Sequence, residues 1–278
     1  MRSALKLTLA GAAALAVAWA VATSLGGRPL GQLFHDEPRP GLPEANTPPA
    51  TPVDADADPA PPPRDALDEF TSMLLAEAED TWTPVFAEES DTYIPPRLRF
   101  FDGTTRSGCG NAVDGDGTFY CASDRRLYID KDFHRGMEER GAAEASFPQA
   151  YVIAHSIGHH VQNLLGIEER LRREEARLGD GARKALRVRA ELQADCFAGI
   201  WAHHSRVGAN AIKPAELEQA LSLPASIGIE LVKRHEPGVI VPDTYAHGTL
   251  AQRKQWFMTG YKRGTVKACN SFETRSAP

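Results

Sequence analysis

Two pairs of side chains are spaced so that they could hold a metal ion. His155 and His159 are four residues apart, and so are Glu191 and Asp195. Residues at i and i+4 share one face of a helix, so both members of each pair point the same way. Two imidazoles and one carboxylate supply three zinc ligands and leave a fourth position for water. Asp195 would then accept a hydrogen bond from the second nitrogen of a ligating histidine.

The carboxylate pair also admits a plainer interpretation. Glu191 and Asp195 would then belong to a solvated helix face, with Arg187 one turn earlier as the partner of Glu191. Against this, most residues around and after them are apolar or small, and Asp195 has no basic residue one turn away on either side. A buried carboxylate requires a cation or hydrogen bonds. This helix alone leaves both interpretations open.

The elements that would position these side chains are a small sheet followed by helices. Short β-type runs between residues 91 and 130 predict the sheet. Apolar residues at helical spacing predict a first helix over residues 65–82 that ends before Pro84. The carboxylates lie in a long helix predicted over about residues 182–203. We therefore expect an α+β fold that is mostly helical, with a small β-sheet preceding the helix that carries the histidines.

Two capping boxes mark the starts of further helices. Ser146 and Gln149 predict that the histidine helix begins at Phe147. Thr249 and Gln252 repeat the pattern and predict a last amphipathic helix near the C-terminus.

The N-terminal quarter of the chain predicts export and attachment to a membrane. Arg2 and Lys6 precede an uncharged run from Leu7 to Gly27, so residues 1–27 are typical of a signal anchor or a signal peptide. Residues 28–64 are rich in proline and small acidic residues, which predicts a disordered spacer. We expect a folded domain over residues 65–278, tethered to the membrane on the periplasmic or cell-surface side. The net charge of −6 is mild and the two signs are mixed along most of the chain, so the sequence shows no basic face of the kind that a nucleic-acid-binding protein needs.

Four cysteines accompany this export signal. An even number in an exported chain suggests two disulfides, and four cysteines allow three pairings. We predict a short loop closed by Cys109 and Cys121 and a long loop closed by Cys196 and Cys269.

Several runs of sequence resemble one family of enzymes. The run from Gln149 to Gly166 resembles the active helix of the neutral zinc metallopeptidase family, and the run from Glu191 to Trp201 resembles its third-ligand helix. Further similarity lies in Ser107–Gly110, in Phe119–Cys121 and in His247–Arg253. The resemblance implies a zincin-like fold.

The resemblance also implies roles for individual residues. His155, His159 and Glu191 would bind zinc, with Asp195 behind them. His247 would lie near the cleft, where a neutral imidazole could stabilise a developing oxyanion or, less readily, act as a base. Taken alone, His247 could equally be a hydrogen-bonded loop histidine. The family reads His-Glu-x-x-His, whereas this chain has Ser156 in place of the glutamate that moves protons during hydrolysis.

Ser156 separates the hypotheses for function. The first is a zinc metallopeptidase that acts on peptide or protein substrates and is impaired because it lacks the general base. The alternative is an inactive pseudopeptidase that binds peptides or an envelope partner. A purely structural metal ranks last, because structural zinc sites usually have four protein ligands and the sequence supplies three good ones.

Overall fold

A small sheet precedes a group of packed helices, as the sequence predicts. The computed structural model describes residues 65–88, 91–112, 117–143, 146–205, 212–222 and 247–273. The helices are α1 (Ala66–Glu88), α2 (Lys131–Glu139), α3 (Phe147–Leu164), α4 (Ile167–Glu175), α5 (Asp180–His204) and α6 (Leu250–Arg263). The strands are β1 (Arg97–Phe101), β2 (Thr105–Ser107), β3 (Gly110–Ala112), β4 (Phe119–Cys121) and β5 (Arg126–Asp130). Residues 214–222 are also helical, and a 3₁₀ turn spans Val266–Cys269.

The chain divides into two units, and the described residues from Asp65 to Ser271 all belong to the larger one. The predicted signal segment over residues 1–27 and the predicted spacer over residues 28–64 lie outside the described residues. Within the described ranges, none of the helices combines the length and hydropathy that crossing a membrane requires.

The main sheet has three strands in the order β1-β5-β4. β1 runs parallel to β5, and β4 runs antiparallel to it, so β4 is an outer strand. β2 and β3 form a separate antiparallel hairpin. The disulfide between Cys109 and Cys121 joins the turn of this hairpin to β4. This is the short loop that the sequence predicts.

The first helix is longer than the sequence predicts. The expected end before Pro84 is wrong, because α1 continues through the proline to Glu88. Trp82 and Phe86 lie one turn apart on either side of Pro84, both are buried, and their rings meet edge to face. Burial of these two aromatic side chains offsets the backbone hydrogen bond that proline cannot donate.

Helix α3 begins at Phe147, but not through the predicted capping box. The Ser146 side chain makes no capping hydrogen bond, and Gln149 Nε2 instead donates to Glu138 Oε1 of α2 at 2.8 Å. Pro148 occupies the first turn, where its missing N–H has no intrahelical partner to lose. The tertiary contact with α2 therefore replaces the local cap.

Glycines bring helices α3, α5 and α6 into close backbone contact. A Cβ added to Gly158 of α3 would lie 2.8 Å from Ala194 O of α5, and one added to Gly260 of α6 would lie 1.9 Å from Cys196 O. The disulfide between Cys196 and Cys269 closes the predicted long loop next to this contact. These contacts fix α3 and α6 against the middle of α5.

Candidate metal centre

Three side chains from α3 and α5 converge on one point. His155 and His159 lie one turn apart on α3, and Glu191 lies opposite them on α5. Glu191 Oε2 is 3.2 Å from His155 Nε2 and 3.4 Å from His159 Nε2. The two Nε2 atoms are 3.2 Å apart. The structure therefore brings together the three side chains that the sequence marks as ligands.

The size of this triangle fits a tetrahedral ion. Zinc–nitrogen and zinc–oxygen bonds of about 2.0–2.1 Å place neighbouring ligand atoms about 3.3 Å apart in a tetrahedron. Glu191 Oε2 is buried and accepts no hydrogen bond. A cation at the centre of the triangle would satisfy this oxygen, and the combination of two imidazoles with one carboxylate suits zinc.

The outer nitrogens of both histidines are fixed by hydrogen bonds. His155 Nδ1 lies 2.9 Å from Asp195 Oδ1, and His159 Nδ1 lies 2.9 Å from Gln162 Oε1. A carboxylate and an amide oxygen can only accept, so each Nδ1 carries the proton and donates. Both Nε2 atoms are then left with lone pairs that point toward Glu191. Two such lone pairs 3.2 Å apart repel each other unless a proton or a cation lies between them.

Charge attraction dominates the electrostatics of the group. Burial opposes ionisation of Glu191, but attraction to His159 and His155 outweighs it and holds the pKa of this carboxyl well below its usual value. Burial alone would lower the pKa of His155. The hydrogen bond to Asp195 and attraction to the charges of Asp195 and Glu191 raise it to about 9 instead. In the metal-free protein at neutral pH, His155 is therefore protonated on both nitrogens, and an ion would have to displace the proton on Nε2.

A buried charge network lies behind His155. Asp195 is fully buried, and its Oδ1 accepts hydrogen bonds from His155 and from the Tyr151 hydroxyl. Arg253 of α6 reaches the same carboxylate, with Nε 3.1 Å from Oδ2. The guanidinium also donates to Tyr151 Oη at 2.6 Å and to Leu221 O at 2.9 Å. Burial opposes ionisation of Asp195, but Arg253 and His155 hold its pKa below the usual value.

The contact proposed for Glu191 in the plainer interpretation is absent. Arg187 instead pairs with Glu168 at 3.1 Å and with Glu175, both on α4. Glu191 thus faces the histidines, and Asp195 is buried beside Arg253. Neither carboxylate belongs to a solvated helix face.

Ser156 lies on the side of α3 toward the sheet. It is 2% exposed, and its Oγ lies 3.1 Å from Val152 O and 3.3 Å from Thr118 O, at the start of β4. Carbonyl oxygens only accept, so the hydroxyl shares its single hydrogen between these two acceptors. The side chain between the two histidines is therefore a hydrogen-bond donor to the backbone and not a base.

Comparison with known proteins agrees with this geometry. A family profile described as "Putative neutral zinc metallopeptidase" matches residues 5–272. The chain belongs to this family. The Escherichia coli K12 protein YpfJ is 42% identical over 211 residues, which cover 76% of this chain and 73% of YpfJ. The Mycobacterium tuberculosis H37Rv protein Rv2575 is 36% identical over 190 residues, covering 65% of this chain and 63% of its own. Both are named as uncharacterized, and no solved structure matches the chain.

A third histidine lies at the rim of the candidate metal site. His247 Nε2 is 3.7 Å from Glu191 Oε2, and its ring stacks on that of His155 with 5.9 Å between ring centres. His155, Glu191 and His247 each offer a ligand atom, and these atoms all lie within 4.8 Å of one another. The structure thus places His247 next to Glu191, on the ion side of the site.

Sequence reasoning missed the residues that support the ligands from behind. Tyr151 and Arg253 complete the network around Asp195, and Gln162 fixes His159. Arg253 is the last residue of the His247–Arg253 run, which resembles the family, and this was its only signal in the sequence. Tyr151 precedes His155 by one helical turn, and that position alone does not distinguish a core tyrosine from a hydrogen-bond donor.

Proposed function

We propose that this protein binds one zinc ion through His155, His159 and Glu191, and that its hydrolysis of peptide bonds is impaired because Ser156 replaces the general base. The observation that carries the proposal is the triangle of ligand atoms, with edges of 3.2, 3.2 and 3.4 Å. These edges match the spacing of about 3.3 Å that a tetrahedral zinc ion requires.

The residues around the ion have separable tasks. A bound zinc ion supplies Lewis acidity and lowers the pKa of a coordinated water to about 7. Asp195 holds the His155 ring with its Nδ1 proton turned outward, so that Nε2 keeps its lone pair for the ion. Gln162 does the same for His159. Arg253 and Tyr151 keep Asp195 ionised and in place.

Proton transfer is the step for which α3 supplies no suitable side chain at the position of the family's glutamate. A peptidase base must take a proton from water and return it to the leaving amine. Ser156 Oγ is buried and already donates to two backbone carbonyls. The absence of a general acid–base group costs on the order of 10² to 10⁴ in rate. We therefore propose slow hydrolysis of peptide or protein substrates.

We also propose that the site lies outside the cytoplasm, on a chain tethered by its N-terminal segment. The uncharged run from Leu7 to Gly27 behind Arg2 and Lys6 supports export and attachment. Two disulfides within the described part of the chain support an oxidising compartment. Digestion of the full-length chain by a protease added to intact spheroplasts tests this location.

Restoration of the missing base tests the proposed function. Full-length protein, Ser156→Glu and Ser156→Ala are compared for zinc content and for cleavage of an unfolded protein substrate such as casein. We expect Ser156→Glu to increase kcat/KM by about 10² to 10⁴, and Ser156→Ala to remain at the wild-type level. If Ser156→Glu retains zinc but cleaves no faster than wild type, the proposal of a peptidase that lacks only its base is wrong.

A second function is a pseudopeptidase that binds peptides without cutting them. It is favoured by the position of β4, an outer strand of the sheet whose preceding residue, Thr118, contacts Ser156 on the metal-site helix. An extended peptide can add to such an edge without any catalysis. Rapid cleavage by the wild-type protein, lost both with a chelator and in His155→Ala, would exclude this function.

A further inference from the structure

His247 lies beside the three proposed ligands, although an open zinc site needs no fourth protein ligand. It comes from neither α3 nor α5 but from the residues just before α6. Its side chain is 42% exposed, and its Nε2 nevertheless lies 3.7 Å from Glu191 Oε2. The inference below rests on the proposed zinc site and concerns the coordination of that ion.

The backbone around His247 is held close to α5 by its neighbours. Gly248 has a φ of 86°, a conformation that favours glycine, and a Cβ there would lie 2.9 Å from Leu192 Cδ2. Leu192 directly follows Glu191. Thr249 then starts α6 with a complete capping box, in which its side chain accepts from Gln252 N and the Gln252 side chain accepts from Thr249 N. The position of the His247 backbone is therefore specified by a glycine contact and a helix cap.

The ring of His247 lies against both His155 and Glu191. Its plane is within 8° of parallel to the His155 ring. Its ligand atom and those of His155 and Glu191 lie within 4.8 Å of one another. A tetrahedral edge of about 3.3 Å requires His247 Nε2 to move about 0.4 Å toward Glu191 Oε2. Rotation of a half-exposed side chain supplies movements of this size.

The chemistry of the site also favours a fourth protein ligand. In a peptidase, the fourth position holds the water that a neighbouring glutamate activates. In this chain Ser156 stands where the family has that glutamate, and its hydroxyl donates to Val152 O and Thr118 O. Ser156 therefore cannot take a proton from such a water. Closed four-ligand shells are characteristic of structural zinc sites.

We propose that His247 is the fourth zinc ligand and closes the coordination shell as three imidazoles and one carboxylate. The ion then links α3, α5 and the start of α6. A peptide carbonyl reaches the ion only when His247 swings away. This assigns His247 to the metal and not to the oxyanion of a substrate, and the proposed slow hydrolysis then requires His247 to leave the ion.

X-ray absorption at the zinc edge tests this coordination directly. Full-length protein and His247→Ala are loaded with zinc alone, and the number of imidazoles is obtained from multiple scattering. We expect three imidazoles in the wild type and two in the variant, with solvent oxygen as the replacement. The zinc dissociation constant should rise by more than the ~10–100-fold that loss of an outer hydrogen bond causes. His247→Gln, which keeps a polar side chain of similar length, should behave in the same way.

A matched control removes a different imidazole. His203 is an exposed histidine on α5, twelve residues after Glu191 and so about 18 Å along the helix. His203→Ala should keep three imidazoles and wild-type affinity. Two imidazoles in the wild type, unchanged in His247→Ala, would overturn the inference but leave the proposed three-residue zinc site intact. Failure of the wild-type protein to bind zinc would overturn both.

Discussion

Replacement of Arg253 by glutamine would remove the permanent cation beside the buried carboxylate of Asp195 and leave only the titratable His155 to balance it. Arg253 is 6% exposed, and its guanidinium donates to three acceptors. Nε lies 3.1 Å from Asp195 Oδ2, Nη2 lies 2.6 Å from Tyr151 Oη, and Nη1 lies 2.9 Å from Leu221 O. Glutamine is shorter and neutral, so it can neither span these contacts nor balance the charge.

The expected loss of stability follows from the burial of the Asp195 carboxylate. Removal of one partner from a buried ion pair costs about 3–5 kcal/mol, because the other charge stays buried without compensation. In a domain of about 200 residues, each kcal/mol changes Tm by about 2–4 °C. We therefore expect Arg253→Gln to lower Tm by about 6–20 °C. Zinc affinity should fall about 10–100-fold as well, since Asp195 no longer holds the His155 ring as firmly.

Thermal and urea unfolding of the full-length protein, with and without a chelator, measures the loss of stability. Arg183→Gln is the matched control, because Arg183 pairs with Asp180 at the exposed start of α5. An exposed pair contributes about 0–1 kcal/mol, so this variant should unfold almost as the wild type does. The reasoning is refuted if Arg253→Gln loses no more stability than Arg183→Gln.

Three further predictions concern pH, the long disulfide and helix packing. Zinc affinity should rise about tenfold per pH unit up to about pH 9 and then level off. The reason is that the raised pKa of His155 keeps this residue protonated in the metal-free protein below that pH. A chelator-competition titration in which the affinity levels off near pH 6.5 would contradict this. Replacement of both Cys196 and Cys269 by serine should cost about 4 kcal/mol in urea unfolding, the loop-closure value for a separation of 73 residues. Gly260→Ala should destabilise by more than about 1–3 kcal/mol, because its Cβ would meet a backbone oxygen of α5 at 1.9 Å. Gly181→Ala, with nothing within 4 Å of the added Cβ, should be neutral or slightly stabilising in the same assay.

The elements of the fold follow from local patterns except where a tertiary contact intervenes. The last helix begins at the capping box of Thr249 and Gln252 because both hydrogen bonds are local. The same pattern fails at Ser146, where Gln149 bonds to α2 instead. The first helix continues past Pro84 because Phe86 is buried in the core. Neither exception could be read from residues nearby in the sequence.

At the site too, local spacing predicts the proposed ligands but not the tertiary contacts that support them. His155 and His159 are predictable as a pair because one helical turn places them side by side, and Glu191 follows from the second i, i+4 pair and the family resemblance. Arg253 is 58 residues from Asp195, and the two meet only because Gly260 lets α6 approach α5 closely. No local spacing encodes such a contact, so the network behind the ligands could be found only in the folded structure.

The claim that three side chains share one ion is tested most directly by zinc content. Full-length protein, dialysed against dilute zinc and then against buffer, is compared with Glu191→Ala and with Glu168→Ala, a glutamate of α4 that pairs with Arg187 away from the site. We predict about one equivalent of zinc in the wild type and in Glu168→Ala, and a loss of most of it in Glu191→Ala. A wild-type protein without zinc, or a Glu191→Ala variant that binds as much as the wild type, would contradict the account.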